Sequence, residues 1–257
     1  MIIQYYGVED NFCEWDYIQG IIKELNFDNS TQLHVVCMSP ERDHRDEVVL
    51  DNSKRNVIIG ISDEYLNDNV PQEWKDNATT FKSYLLPEQE GGSVFSFPLG
   101  YNKTHKKLVN RPIKDRPIDV FVTGSGFSKS SKNYNFKIAA EFDNGLDSDA
   151  YSKKLHNSKI VVCPAGTVSK ETFRHYEAMR SGAIVVSPKL PETKIYKDAA
   201  ICQVDDWENN AGNAIMDLLS DLEMLQLVQE RQQQTYNNRF TAKAVAKYIN
   251  ELLPTPK

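Results

Sequence analysis

Long apolar runs are missing from this 257-residue chain: none approaches the roughly 20 residues a helix needs to cross a bilayer. Cysteine is scarce. Cys13, Cys37, Cys163 and Cys202 stand apart with no Cys-x-x-Cys spacing, which argues against a zinc site. Cys37 and Cys163 lie inside apolar runs and read as buried free thiols. A basic excess is also absent, with 30 Lys and Arg against 36 Asp and Glu and a net charge of −6. Nucleic-acid binders present a basic face to phosphates, so no nucleic-acid partner is expected. The first residues, Met1-Ile-Ile-Gln-Tyr-Tyr, lack the charged-then-apolar profile of a secretory leader and read as a strand. Three Asn-x-Ser/Thr sequons, at Asn29, Asn77 and Asn102, are attributed to chance in an Asn-rich chain, and a cytoplasmic location is expected. No internal repeat or low-complexity segment is evident.

What is present is an ordinary globular composition, 40% hydrophobic and 26% charged, long enough for one large or two small domains. Short β-rich runs alternate with helical stretches. Strands are expected at 2–6, 33–38 and 57–61, and a helix at 12–25, where Phe12, Trp15, Ile18, Ile22 and Leu25 approach helical spacing. Residues 63–95 read as loops, short helices and one strand. Phe97-Pro-Leu-Gly-Tyr-Asn102 then leads into a basic segment, 103–117, whose Pro112 and Pro117 disfavour helix before them. This is read as an interdomain connection, with domains at 1–110 and 111–257. The second domain is expected to hold strands at 118–123, 159–163, 183–187 and 200–204. Its expected helices are around 131–142, 148–157, 169–180 and 208–234 (with a break), and a last helix spans 241–252. Strand and helix in alternation argue for two Rossmann-like domains with parallel sheets, which bind ligands outside the carboxyl ends of their strands.

The informative stretch runs from Lys159 to Pro188: strand, Pro164-Ala-Gly166-Thr167 turn, helix, Gly182, strand. Ser169 is the expected N-cap, and Gly182 ends the helix where positive φ is wanted. The orphan amides and dipole of a helix start favour an anion such as a diphosphate. Lys170, Arg174 and Glu177 fall at i, i+4 and i+7 of the expected helix, on one face. Cations there would offset phosphates, and a carboxylate would accept ribose hydroxyls. Spacing alone is equally served by a solvated stripe with an Arg–Glu ion pair.

The run Ser158-Lys-Ile-Val-Val-Cys-Pro-Ala-Gly-Thr-Val-Ser169, with Arg174, Glu177-Ala-Met and Gly182-Ala-Ile-Val-Val, resembles the carboxyl-terminal signature of exostosin-like glycosyltransferases. More broadly it resembles the donor half of the GT-B fold. The likeness is specific over about 155–210, loose over 97–250 and nearly absent in the first 95 residues. It implies two Rossmann-like domains with parallel sheets facing a central cleft, and a last helix packing back on the first domain. It also implies that Glu177 holds the ribose of a nucleotide sugar, UDP- or GDP-linked, with no separate cofactor or metal. Arg174, with Lys170 and the amides near Gly166 and Thr167, would hold the diphosphate. Gly124 and Gly126 of Thr123-Gly-Ser-Gly would let backbone approach those phosphates, with Lys129 and Lys132 nearby, although an ordinary turn explains the glycines as well.

Many retaining GT-B enzymes carry two glutamates separated by seven residues, and the earlier position here is Ser169. Inversion is therefore expected, assisted by one general base. Asp10 and Asp63, beyond strand ends, are the chosen candidates among Glu9, His44, Glu64 and Glu88. His175 is read as structural and His156 as an exposed helix-end residue. The expected acceptor is a hydroxyl of a glycan or lipid-linked molecule, with peripheral membrane association possible. A retaining transferase, a sugar-nucleotide epimerase and an inactive sugar-binding module are the other readings.

Overall fold

Strands whose side chains are apolar at every position bury both faces, and parallel sheets are built from such strands. The computed structural model describes residues 1–10, 12–39, 41–64, 70–109, 111–123, 140–143, 145–166 and 168–253. It divides into two units, one of Met1–Gly100, Pro191–Lys197 and Arg239–Lys257, the other of Tyr101–Leu190 and Asp198–Asn238. The expected boundary at 110 therefore moves to Gly100. The physical reason is that 101–108 hydrogen-bonds to helices of the second unit, as set out below.

The first unit contains β1 (Ile2–Tyr6), α1 (Trp15–Glu24), β2 (Thr31–Ser39), the short β3 (Arg42–Asp43), β4 (Arg55–Ile61), α2 (Gln72–Asn77), β5 (Ala78–Lys82) and β6 (Val94–Ser96). The strands run in the order β1-β2-β4-β5-β6, parallel throughout, with β3 antiparallel against β2. Trp74, Met38, Ile58 and Val36 belong to one buried cluster on this sheet. The carboxyl-terminal helix α7 (Ala242–Leu252) belongs to this unit and packs on α1. The two helices approach closely: a Cβ on Gly20 would lie 3.1 Å from that of Ala242. Tyr17 of α1 donates its hydroxyl to the Phe240 carbonyl at 2.7 Å. Gly100 is required beside it, since its φ is +75° and a Cβ would fall 2.0 Å from the Tyr17 ring.

The second unit contains β7 (Ile118–Val122), β8 (Glu141–Phe142), α3 (Ser148–Asn157), β9 (Ser158–Val162), α4 (Phe173–Arg180), β10 (Ile184–Pro188), β11 (Cys202–Val204), α5 (Trp207–Ser220) and α6 (Leu222–Thr235). Its strand order is β11-β10-β9-β7-β8, again parallel. Val120, Val122, Ile160, Val162, Ile184 and Val186 form one face and pack with Trp207, Ile215 and Leu225. The alternating Phe121, Val161 and Val185 are buried as well, as a sheet covered on both sides demands. Most of the expected helix at 131–142 lies outside the described residues, and its last two positions are strand β8. The break expected within 208–234 falls at Asp221, whose side chain accepts the Glu223 and Met224 amides and starts α6.

Two buried polar side chains close gaps in this unit. Gln232 of α6 accepts the Val185 amide at 2.9 Å and donates to the Val185 carbonyl at 3.0 Å, satisfying backbone groups of β10 through a side chain. Arg116 donates to the carbonyls of Ser158, Ser181 and Arg111 at 2.8, 2.8 and 3.1 Å, tying the start of β9 to the end of α4. Burial pushes its guanidinium down to about 10, and Arg111 adds to the effect. Replacing Arg116 with Met strands these carbonyls, and the expected loss is about 2–4 kcal/mol of unfolding free energy. Chemical denaturation measures it, and an unchanged midpoint would refute this account.

Candidate functional site

Helix α4 starts later than its sequence suggests. Its N-cap is Thr172, held extended at φ −143° and ψ 157°, whose amide donates to His175 Nδ1 at 3.2 Å. Ser169 organises the turn upstream instead. Its hydroxyl accepts the Glu171 amide at 3.1 Å and its carbonyl accepts the Gly166 amide at 2.7 Å. Glu171 is buried and accepts the Tyr176 hydroxyl, which binds the turn to the helix. Lys170 consequently precedes the helix and is exposed, so the expected Lys170–Arg174–Glu177 face is corrected. The face that forms is Arg174, Glu177 and Arg180, at three-residue intervals. Gly182 ends the helix at φ +74°, as its position suggested.

Arg174 and Glu177 of this face border a cavity of about 360 Å³ within the second unit. Thr172, Phe173 and Arg174 line it, so the first turn of α4, whose amides lack intrahelical acceptors, is part of the wall. Thr123 at the end of β7, Tyr151 of α3, and Asn102 and His105 also line it.

Glu177 is 5% exposed and held from two sides. The Asn102 amide donates to Oε1 at 3.1 Å, and the Tyr151 hydroxyl donates to Oε2 at 2.7 Å. Burial raises its pKa, opposed by these two hydrogen bonds and by Arg174 and Arg180. Tyr151 is raised well above the usual phenol range, chiefly by burial and by the Glu177 charge. Arg180 anchors the 101–108 strap: its guanidinium lies 3.8 Å from the Tyr101 ring centre and donates to the His105 carbonyl at 2.7 Å and toward His105 Nδ1 at 2.9 Å. Because arginine only donates, Nδ1 accepts and the Nε2 proton goes to Ser181 Oγ at 3.1 Å. Burial, with Arg180 and His156 adding, pushes His105 down to about 3 and keeps it neutral.

His156 is corrected from exposed to buried. Its Nε2 accepts the Leu108 amide and its Nδ1 donates to the Ser152 carbonyl, both at 2.8 Å, so it pins the strap to α3. His175 is fully enclosed and pushed down to about 3 by burial.

Other expected residues fall elsewhere. Gly166 is exposed in its turn, and the cavity lining does not include it. Gly124, Gly126, Thr167, Lys129 and Lys132 lie outside the described residues. In the first unit, Glu9, Asp10, Glu64 and Glu88 are exposed, and His44 pairs with Glu47 at 2.8 Å. Asp63 is sealed, 2.7 Å from the Lys82 ammonium with both side chains at 0% exposure. Sequence reasoning passed over Tyr151, Arg180, His105 and Glu14. Arg180 alone carried a signal, three residues after Glu177 on a helix.

Glu14, at the N-cap of α1, is 4% exposed with the Ser62 hydroxyl 3.4 Å away, and burial pushes it up to about 7. Ser62 itself sits at φ +65°.

No family model matches the sequence, and no curated protein does. Solved structures match in fold. An alpha-glucosyltransferase in complex with UDP-glucose and DNA containing an abasic site gives a TM-score of 0.52 at 12% identity, over 92% of this chain and 83% of that one. A mutant of TarM from S. aureus, in complex with Fondaparinux, alpha-GlcNAc-glycerol and UDP, gives 0.53 at 10% identity, over 91% and 58%. Sucrose-phosphate synthase from Thermosynechococcus elongatus gives 0.50 at 13%, over 87% and 72%. The shared feature is the fold of the GT-B glycosyltransferases, with two parallel-sheet α/β domains.

A carboxylate raised by folding contributes stability that is complete below its unfolded value and lost as pH climbs through the folded one. For Glu14 that window runs from the ordinary carboxylate range to about 7. Glu14→Gln should therefore gain stability relative to the parent by roughly 2 kcal/mol between pH 5 and pH 8. Urea unfolding at both pH values reads this, and a pH-independent difference contradicts it.

Proposed function

We propose that the chain is a glycosyltransferase of exostosin-like type that moves a sugar from a nucleoside diphosphate donor, a UDP- or GDP-sugar, to a hydroxyl of a glycan or lipid-linked acceptor. One observation carries the reading: a carboxylate, Glu177, and a guanidinium, Arg174, share a cavity with the first turn of a helix. A nucleoside diphosphate offers vicinal hydroxyls for the carboxylate and a dianionic group for the cation and the amides. UDP-glucose and UDP in complexes of two fold neighbours favour a UDP donor.

In the reaction the bond from the anomeric carbon to the phosphate oxygen breaks, and the diphosphate leaves with the electron pair. Arg174 and the α4 amides stabilise that charge, which is electrostatic catalysis needing no proton transfer to the leaving group. The acceptor oxygen bonds to the opposite face of the anomeric carbon, giving inversion, and its proton passes to a carboxylate. For that base we choose Asp10, which is exposed beyond β1, over Asp63, which would have to abandon Lys82 to act. A net charge of −6 disfavours DNA, which is bound in the alpha-glucosyltransferase complex, as a partner of this chain.

UDP should raise the melting temperature, and Arg174→Ala or Glu177→Ala should each weaken UDP binding by roughly tenfold or more. Activity should persist in EDTA. If UDP, GDP, CMP and their sugars all leave the melting temperature unmoved, the proposal fails.

Asp10→Asn should still fold while kcat falls by about 100-fold or more. Asp63→Asn, by leaving the Lys82 charge buried and unpaired, should instead destabilise the fold by about 3–5 kcal/mol. Full turnover by a well-folded Asp10→Asn enzyme would remove Asp10 from the mechanism.

A further inference from the structure

The terminal torsion of a glutamate is broad, so an untethered carboxylate samples many orientations. Glu177 is not untethered. One oxygen is held by a backbone amide of the strap, the other by the Tyr151 hydroxyl from α3, so the carboxylate plane is set by two elements that are not its own helix. The strap is fastened independently, through Arg180 to Tyr101 and His105 and through His156 to Leu108. Tyr151 carries its hydroxyl on a ring packed 6.4 Å from His105 and 6.5 Å from Phe121, between ring centres, and the residue lines the cavity. An ionised carboxylate has about four acceptor positions. Two are taken by Asn102 and Tyr151, and those that remain are oriented by the same two bonds.

Resting on the donor-site reading above, we infer that Tyr151 is a positioning residue for ribose recognition: its hydroxyl aims the Glu177 carboxylate so that the nucleotide's 2′- and 3′-hydroxyls are read as hydrogen-bond donors. A site built to accept from a hydroxyl discriminates against the ligand lacking it, because the acceptor is then buried and unpaired. That discrimination depends on the carboxylate being held still. Removing the Tyr151 hydroxyl leaves the cavity, Arg174 and the α4 amides in place, and takes away its bond to the Glu177 carboxylate. The hydroxyl also favours the ionised carboxylate, which is the form able to accept from ribose.

The test compares binding of UDP, 2′-deoxy-UDP and 3′-deoxy-UDP to the full chain by calorimetry. The parent should prefer UDP over each deoxy form by roughly tenfold or more. In Tyr151→Phe this preference should shrink to about two- to threefold, because UDP loses more affinity than either deoxy form, which keeps a single ribose hydroxyl. Using the ratio cancels titration of the diphosphate, which all three ligands share. The ratio should also fall on acidification, and in Tyr151→Phe that fall should begin at higher pH.

Glu177→Ala separates the two ideas. If it leaves the parent's ratio intact while UDP still binds, the ribose reading itself is wrong. If Glu177→Ala abolishes the ratio and Tyr151→Phe preserves it, Glu177 reads ribose and the role given to Tyr151 is overturned. Equal weakening of all three ligands in Tyr151→Phe would mark a merely structural hydroxyl and also overturn it. Tyr151→Met, which keeps apolar bulk without the ring, repeats the measurement should the Phe variant fold poorly.

Discussion

A carboxylate removed from water must either be compensated or take up a proton, and Glu177 is compensated by two hydrogen bonds and two nearby guanidiniums. Its oxygens accept an amide and a phenol, and guanidiniums lie one helical turn before and one after it. This one charge explains why the segment after Gly100 belongs to the second unit. The strap supplies the amide, and Arg180 and His156 hold the strap to α4 and α3. The helix start, the strap and the α3 tyrosine are thus parts of one polar arrangement, and its open side is the cavity.

The first unit presents the contrasting solution. At the carboxyl ends of its parallel strands Asp63 is neutralised by Lys82, with neither side chain reaching solvent. Glu14 receives a long contact from Ser62 and is pushed up to about 7 by burial. The two acids differ in pairing: Asp63 has the Lys82 ammonium 2.7 Å away, whereas burial dominates at Glu14.

The alternation of strand and helix was legible because it rests on local pattern. Runs such as Val57-Ile-Ile and Ile160-Val-Val admit little besides buried parallel strands, and all of these segments are strands in the structure. Gly182 was equally readable, since positive φ after a helix is a local demand. The start of α4 was misplaced by four residues because Ser169 and Thr172 are both competent caps. What decides between them is the buried bond of Glu171 with Tyr176 and the reach of His175 back to the Thr172 amide. His156 was misjudged for a related reason: a histidine at a helix end is usually solvated, and only the arriving Leu108 amide buries it.

The order of residues by itself determined an α/β chain of parallel strands, with a strand, turn and helix carrying Arg174 and Glu177 on one side. Periodicity and turn chemistry act over a few residues, so they can be read without coordinates. Only the tertiary structure decided that Tyr151 and Asn102, 26 and 75 positions away, meet the Glu177 carboxylate. It alone decided, too, that Lys170 does not share the helix face. Hydrogen bonds between distant segments depend on how elements pack, and no local pattern in those segments records which partner will arrive.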